Sequence, residues 1–337
     1  MGQKTAIAWA DSTWNPWWGC TKVSPGCEHC YANALAKRAG KDCWGAKATR
    51  ECMSEKYWAK PVKWDAAAAN GKVGKDGKHW IVFGGDMCDV FDSRGLESER
   101  LRMWDLTKKT PHLTWLLLTK RPQNFNKFLP ADWGNGYTNV WLGVTVDDRA
   151  HGYPRVDILR KTPATVRFLS CEPLLEDVGN IDLTGIDWVI AGGESGAGSR
   201  SFDLEWARKL RSCCAKTHVA FFFKQLGSKP MEGDSPFQIL NNQSSGKRDL
   251  HGKSPANFPS DLQVQEWPDQ DEPPSPKPDG LPVHAYTQVL QWVHEYAEDP
   301  DAGVLSHLAQ SAYASLTGML QVLSGVCDQR RSNQLHR

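Results

Sequence analysis

A chain of 337 residues, 40% of them hydrophobic, has the material to bury one large core with a modest appendage, which excludes a small disulfide-stapled fold and a fully disordered chain. A formal net charge of +1 gives no global attraction to nucleic acid or to an acidic membrane surface, so any basic surface has to be local. No run approaches the roughly 18 to 20 apolar residues that span a bilayer, and the polar start Met1-Gly-Gln-Lys lacks the apolar stretch of a signal peptide, so a cytoplasmic protein with no membrane partner is expected.

In chain order, seven apolar runs read as strands: Ile7–Trp9, Trp80–Phe83, Leu113–Leu118, Val140–Val146, Val166–Leu169, Trp188–Ala191 and Val219–Phe223. Helical patterns fall between several of them, at Tyr31–Arg38, Ser98–Thr107, Pro122–Leu129, Pro154–Arg160 and Leu204–Ala215, and Ala66–Lys78 reads as a surface excursion. Most of the strand runs are continuously apolar, as in strands covered on both faces, and the β-then-α order predicts an α/β fold with a parallel sheet. A partial or full (β/α) barrel of the TIM type is preferred to an open doubly wound sheet, because polar residues concentrate just past the strand ends, where such folds gather their chemistry. The barrel is expected over residues 1–258. A Pro-rich acidic linker should follow at 259–280, and apolar residues at helical spacing predict a small helical extension at 281–337.

Ten cysteines in a reducing compartment are poor material for a disulfide framework. Three of them, Cys20, Cys27 and Cys30, share one run between the first apolar segment and the first helix. Three thiolates can hold three irons of a cubane and leave the fourth open to a ligand, whereas a closed structural site normally takes four protein ligands. At the strand ends, Asp86, Lys120, Glu172, Glu194 and Lys224 are expected to share one rim, with Lys120, Glu172 and Lys224 as candidate catalytic groups. Lys120, Arg121 and Lys224 would either bind a phosphate or another anion, or form rim salt bridges with Asp86, Glu172 or Glu194. Between Arg38 and Trp64, seven cations (Arg38, Lys41, Lys47, Arg50, Lys56, Lys60, Lys63) alternate with Trp44, Tyr57, Trp58 and Trp64. That is the pattern of a surface for single strands or exposed bases, or else of a solvated helix face; the sixteen tryptophans mostly read as core.

The segments around Ile7–Pro16, the three-cysteine run, Phe83–Phe91, Leu118–Pro122, Leu142–Val146, Ser170–Leu174, Val189–Gly196 and Phe223–Gly227 resemble a phage-associated three-cysteine-motif family. That family in turn resembles the radical S-adenosylmethionine enzymes. The second resemblance implies a radical-SAM-like partial barrel whose first loop carries a [4Fe-4S] cluster on Cys20, Cys27 and Cys30. It implies S-adenosyl-L-methionine as a second cofactor, cleaved to a 5′-deoxyadenosyl radical that abstracts hydrogen from the substrate. It also implies cofactor contacts from Gly84, Gly85 and Asp86 after the second strand, with Asp86 holding the methionine ammonium, and from His29 in the slot beside the third cysteine. Glu194 and Ser195 would contact cofactor or substrate. The expected substrate is a nucleic acid or nucleotide, with a reductant protein and a methyltransferase-like protein as partners. The cysteine spacing departs from the commonest one of that superfamily: six residues separate Cys20 from Cys27, so the loop must be wider, with Ser24-Pro25-Gly26 as its turn. A zinc-containing, non-enzymatic nucleic-acid- or protein-binding protein is the alternative. It needs a fourth ligand beside the three cysteines, from His29 or His79, and His29 is poorly placed between two cysteines.

Overall fold

The structure, a computed structural model, describes residues 5–239, 249 and 251–268. Contacts divide the chain after Ser275, and every described residue lies on the N-terminal side of that point. Seven strands form one all-parallel sheet in which sequence order is spatial order: β1 (Ser12–Trp14), β2 (Trp80–Gly84), β3 (Leu113–Thr119), β4 (Val140–Thr145), β5 (Arg167–Cys171), β6 (Trp188–Gly192) and β7 (Ala220–Gln225). Helices α1 (Tyr31–Arg38), α2 (Lys60–Ala69), α3 (Glu97–Lys109), α4 (Arg149–Lys161) and α5 (Leu204–Thr217) lie in the crossovers. β1 and β7 do not pair, so the curled sheet is a half-barrel, a partial form of the expected barrel.

Alternation along the strands sorts the core into two faces. Val82, Leu117, Leu142, Leu169, Val189 and Phe223 point outward and pack with Trp104 of α3, Leu159 of α4 and Leu210 of α5. Ile81, Phe83, Leu116, Trp141, Phe168, Trp188, Ile190 and Phe222 point inward and make an aromatic floor. A side chain at Gly143 would occupy the space taken by the Phe168 ring, so the bare position lets the floor close. Toward the C-terminal ends the inward positions turn polar, with Thr145 and Ser170 buried above the floor.

The first strand differs from expectation. Ile7–Trp9 is not a strand; Trp9 and Ala10 fold beneath the sheet and join the inner floor, with the Trp9 ring 4.8 Å from that of Phe83. Asp11 stops the turn there by accepting hydrogen bonds from the backbone of Ile81 (2.8 Å) and Lys75 (2.9 Å), and β1 begins at Ser12. The apolar run was core, but loop core. The expected excursion at Ala66–Lys78 begins inside α2, which carries Pro61 in its first turn and buries Trp64. The helix expected at Pro154–Arg160 starts earlier, at Arg149, where Asp148 caps it by accepting from His151 N at 2.7 Å; Pro154 sits inside.

The exposed edge of β7 is covered. Val264 O accepts from Phe223 N at 2.8 Å, Glu266 N donates to Phe221 O at 3.0 Å, and Phe258 and Leu262 are buried. The structured unit therefore runs through Trp267, past the residue 258 boundary. The remainder of the linker, 269–280, and the helical extension, 281–337, lie outside the described residues.

Candidate functional site

The loop between β1 and α1 carries all three clustered cysteines, and Cys30 is the residue that caps α1. Its start pairs with the segment after β2: Gly19 and Cys88 form a parallel bridge, with Gly19 N donating to Met87 O at 3.0 Å. Three further attachments come from the C-terminal ends of other strands. Just past β3, Arg121 donates to the Cys20 sulfur at 3.5 Å and to the Thr21 carbonyl, and is itself held by Asp89 at 2.8 Å. Just past β4, the fully buried Asp147 side chain accepts from the Ser24 hydroxyl and from Gly26 N at 3.0 Å, while Arg155 pairs with its other oxygen at 2.5 Å. A methyl on Gly26 would collide with that carboxylate, so the turn at Ser24-Pro25-Gly26 closes only with glycine. Past β6, Glu194 meets His29 at 3.2 Å and Arg200 at 2.5 Å, and Arg200 donates to Pro25 O at 3.1 Å.

These contacts shape the charges. Burial pushes the Cys20 thiol up to about 12, and Asp89 adds to the effect against the pull of Arg121. Burial would raise Asp147, but Lys120, Arg155 and the Ser24 hydroxyl outweigh it and hold its carboxyl below the usual range. The same balance, through Arg200 and His29, keeps Glu194 low. All three loop thiols are partly exposed. Among the described residues, no three His, Cys, Asp or Glu side chains are gathered closely enough to hold a metal ion.

Of the expected rim residues, Glu172 and Lys224 meet across β5 and β7 in a 3.0 Å ion pair, largely shielded from solvent. Lys120 does not join them; its backbone N donates to Asp89 at 3.2 Å and its ammonium lies in the field of Asp147. Gly84 ends β2 on the helical side, where a side chain would press against Leu117, so its bareness serves packing. Gly85 turns the chain and donates to Trp14 O at 2.8 Å. Asp86 faces the mouth, its carboxylate accepting from Asn15 Nδ2 at 2.5 Å and its carbonyl accepting from the Tyr31 hydroxyl at 3.1 Å. Ser195 lies half-buried beside Glu194. Trp14, Trp17, Tyr57, Trp58 and Trp64 are all buried, so none offers an open face to a base, and Arg50 is buried against Asp92. Of the aromatics in the local basic pattern, only Trp44 is partly exposed.

Burial pushes the Asp86 carboxyl up to about 6, against its hydrogen bonds from Asn15 and Thr13. A carboxyl raised on folding stabilises the fold fully below its unfolded value near 4 and loses that contribution as pH climbs through the folded value. Between pH 4 and 6 the native chain is therefore expected to lose on the order of 2 kcal/mol relative to Asp86→Asn. Urea midpoints at pH 4, 5, 6 and 7 check this; a constant difference across the range would return Asp86 to an ordinary carboxyl.

Arg121, expected to bind an anion or to pair with Asp86, Glu172 or Glu194, pairs with Asp89 and holds the loop, and the loop anchors Asp147 and Arg200 were not selected from the sequence. Asp147 stands two places past a strand end, which is the signal that could have found it; Arg200 lies at the far end of a glycine-rich loop and carries no such mark. Comparison with curated proteins and with solved structures found no match. A family model described as "Protein of unknown function (DUF5131)" matches residues 4–259, about three quarters of the chain, and the protein belongs to that family.

Proposed function

We propose that this protein is a radical S-adenosylmethionine enzyme that modifies or repairs a nucleic acid base, with Cys20, Cys27 and Cys30 holding a [4Fe-4S] cluster at the mouth of the half-barrel. One observation carries the reading: the loop bearing all three thiols is fastened to the ends of three separate strands, by Arg121, by Asp147 and by Glu194 with Arg200. A loop with no shared task for its cysteines has no need of three charged anchors, each with its own desolvation cost. The donor set fits a cluster in chemistry, being three partly exposed thiols on one pinned loop. The thiols are not gathered as placed, so loading requires them to turn toward a common point.

Bound there, the cluster would supply the electron that cleaves S-adenosylmethionine to a carbon radical. The chain's own residues do the rest. Asp86, with its carboxyl near 6, suits the ammonium of the methionine moiety or a proton held beside it. The Glu172–Lys224 pair stands on the inner face, above an aromatic floor that keeps water from beneath the reaction space. Arg121 and Asp147 are positioning residues for the loop.

Anaerobic reconstitution, with iron, sulfide and zinc counted per chain and electron paramagnetic resonance recorded with and without S-adenosylmethionine, tests the proposal. The expected result is about four irons per chain and a reduced-cluster signal that shifts on adding S-adenosylmethionine and disappears in Cys27→Ala. Stoichiometric zinc with no reconstitutable cluster would overturn it and favour a binding protein.

A further inference from the structure

The inner face of the half-barrel ends on a carboxylate oxygen that the fold leaves without a hydrogen bond. Glu172 follows β5, and its side chain is only 10% exposed. One oxygen, Oε2, accepts from the Ser170 hydroxyl at 3.4 Å; the other, Oε1, is buried and accepts no hydrogen bond among the described residues. The Lys224 ammonium stands 3.0 Å from Oε1 and pairs with it in charge, but not along a hydrogen-bond direction. Oε1 owes its place to Gly192, at an inward position of β6: a methyl there would lie 2.9 Å from it, so the carboxylate fills space that a side chain would take. Desolvating a carboxylate oxygen without giving it a donor works against folding, and the arrangement calls for a functional reason. Beneath the pair lies the aromatic floor, with Phe83, Phe168, Trp188 and Phe222.

We propose that Glu172 and Lys224 read the edge of a flat, neutral heterocyclic base in which one ring N–H stands beside a carbonyl, as in uracil, thymine and hypoxanthine. The ring N–H donates to Glu172 Oε1, and the Lys224 ammonium turns on its flexible stem to the neighbouring carbonyl, uncovering that oxygen. The pair is neutral as a unit, so an anion or a cation meets one attraction and one repulsion, whereas a neutral donor beside an acceptor satisfies both groups. Ser170 already occupies Oε2, which leaves Oε1 for the ligand. A single ring N–H fills it with nothing left over, while the exocyclic amine of cytosine, adenine or guanine brings two N–H groups and would strand one. The aromatic floor supplies the apolar surface that a flat ring needs. This inference rests on the proposed function and deepens it by naming the bases that enter the mouth. Its test does not use the cluster, so the two readings fail separately.

Calorimetric titration of the metal-free full chain with uridine, inosine, N3-methyluridine and cytidine checks it. Uridine and inosine should bind; N3-methyluridine, which lacks the ring N–H, and cytidine should bind about tenfold more weakly or worse. Glu172→Met and Lys224→Met should each weaken uridine binding about tenfold, and Glu172→Gln, which keeps an acceptor, should retain part of it. Glu172→Met should leave N3-methyluridine unchanged, because that contact is already lost, and this comparison separates a missing contact from a disturbed fold. An oligocytidine strand carrying one uridine that binds more tightly than both uridine and the all-cytidine strand assigns the base to a polynucleotide; affinity equal to that of uridine assigns it to a free nucleoside. Uridine bound no better than N3-methyluridine or cytidine by the native chain, or uridine affinity untouched in a folded Glu172→Met variant, would overturn the proposal.

Discussion

Asp147→Ala should cost about 3–5 kcal/mol of folding stability, the range for breaking a buried ion pair by removing one partner. Asp147 is fully buried, and its loss leaves the Arg155 guanidinium with only the Thr145 carbonyl, at 2.9 Å, among its described partners. It also strands the Ser24 hydroxyl and Gly26 N–H, the two groups that fix the turn between Cys20 and Cys27. A lower urea midpoint with unchanged slope measures the first effect. The second is read in the loop itself: alkylation of Cys27 and Cys30 should speed up, and iron taken up on reconstitution should fall. Asp147→Asn keeps an acceptor but loses the charge, and should fall between. If Asp147→Ala lost under 1 kcal/mol and its thiols reacted at the native rate, the strand-end anchor would be incidental.

A comparable loss, again about 3–5 kcal/mol, is expected for Asp92→Asn. The Arg50 and Asp92 side chains are 1% and 3% exposed and meet at 2.7 Å. Arg50 also donates to Thr21 Oγ1 at 2.7 Å and to Cys43 O at 2.9 Å, so one guanidinium joins the cysteine loop, the following connection and the segment after β2. Neutralising Asp92 leaves that charge buried without its partner. The double replacement Arg50→Met with Asp92→Leu removes both charges and should recover at least half of the loss, because the cost lies in the unpaired ion and not in missing attraction. Denaturant midpoints of the two singles and the double decide it. A double variant as weak as Asp92→Asn would show that the hydrogen bonds of Arg50 to the loops matter more than its charge. Raising salt should change the native stability little, since screening does not reach a pair this buried.

Both effects bear on how the loop is prepared for its task. The proposed cluster loop begins on a buried network, Arg50, Asp92, Arg121 and Asp89, and ends on a helix. Its middle hangs from Asp147 and from Glu194 with Arg200. Anchoring backbone and turn while leaving the sulfurs partly exposed restricts the loop before any ligand arrives, which lowers the ordering cost of binding.

Six of the seven strands were legible because each is an apolar run that stays buried on both faces, and burial on both faces is written into composition alone. Trp9 shows the limit of that signal: an apolar run also marks a loop that plugs the floor, and only the capping of Asp11 by Ile81 and Lys75 separates the two cases. Phe258 to Trp267 shows the converse, since proline and acidic residues mask a segment that pairs along β7 through its backbone, which carries no side-chain signature. Aromatics between Arg38 and Trp64 look like a base-stacking surface in sequence because periodicity does not say which face of an element meets the sheet.

The sequence by itself determined the parallel α/β order, the loop that carries Cys20, Cys27 and Cys30, and the gathering of Asp86, Lys120, Glu172, Glu194 and Lys224 at strand ends, because strand polarity sends every such end to the same rim. Only the tertiary structure decided which of those groups meet. Curling the sheet brings Glu172 to Lys224, leaves Lys120 with Asp147, and commits Glu194 to His29 and Arg200. Charge pairing acts over a few ångströms, and those distances are set by packing between strands far apart in the chain.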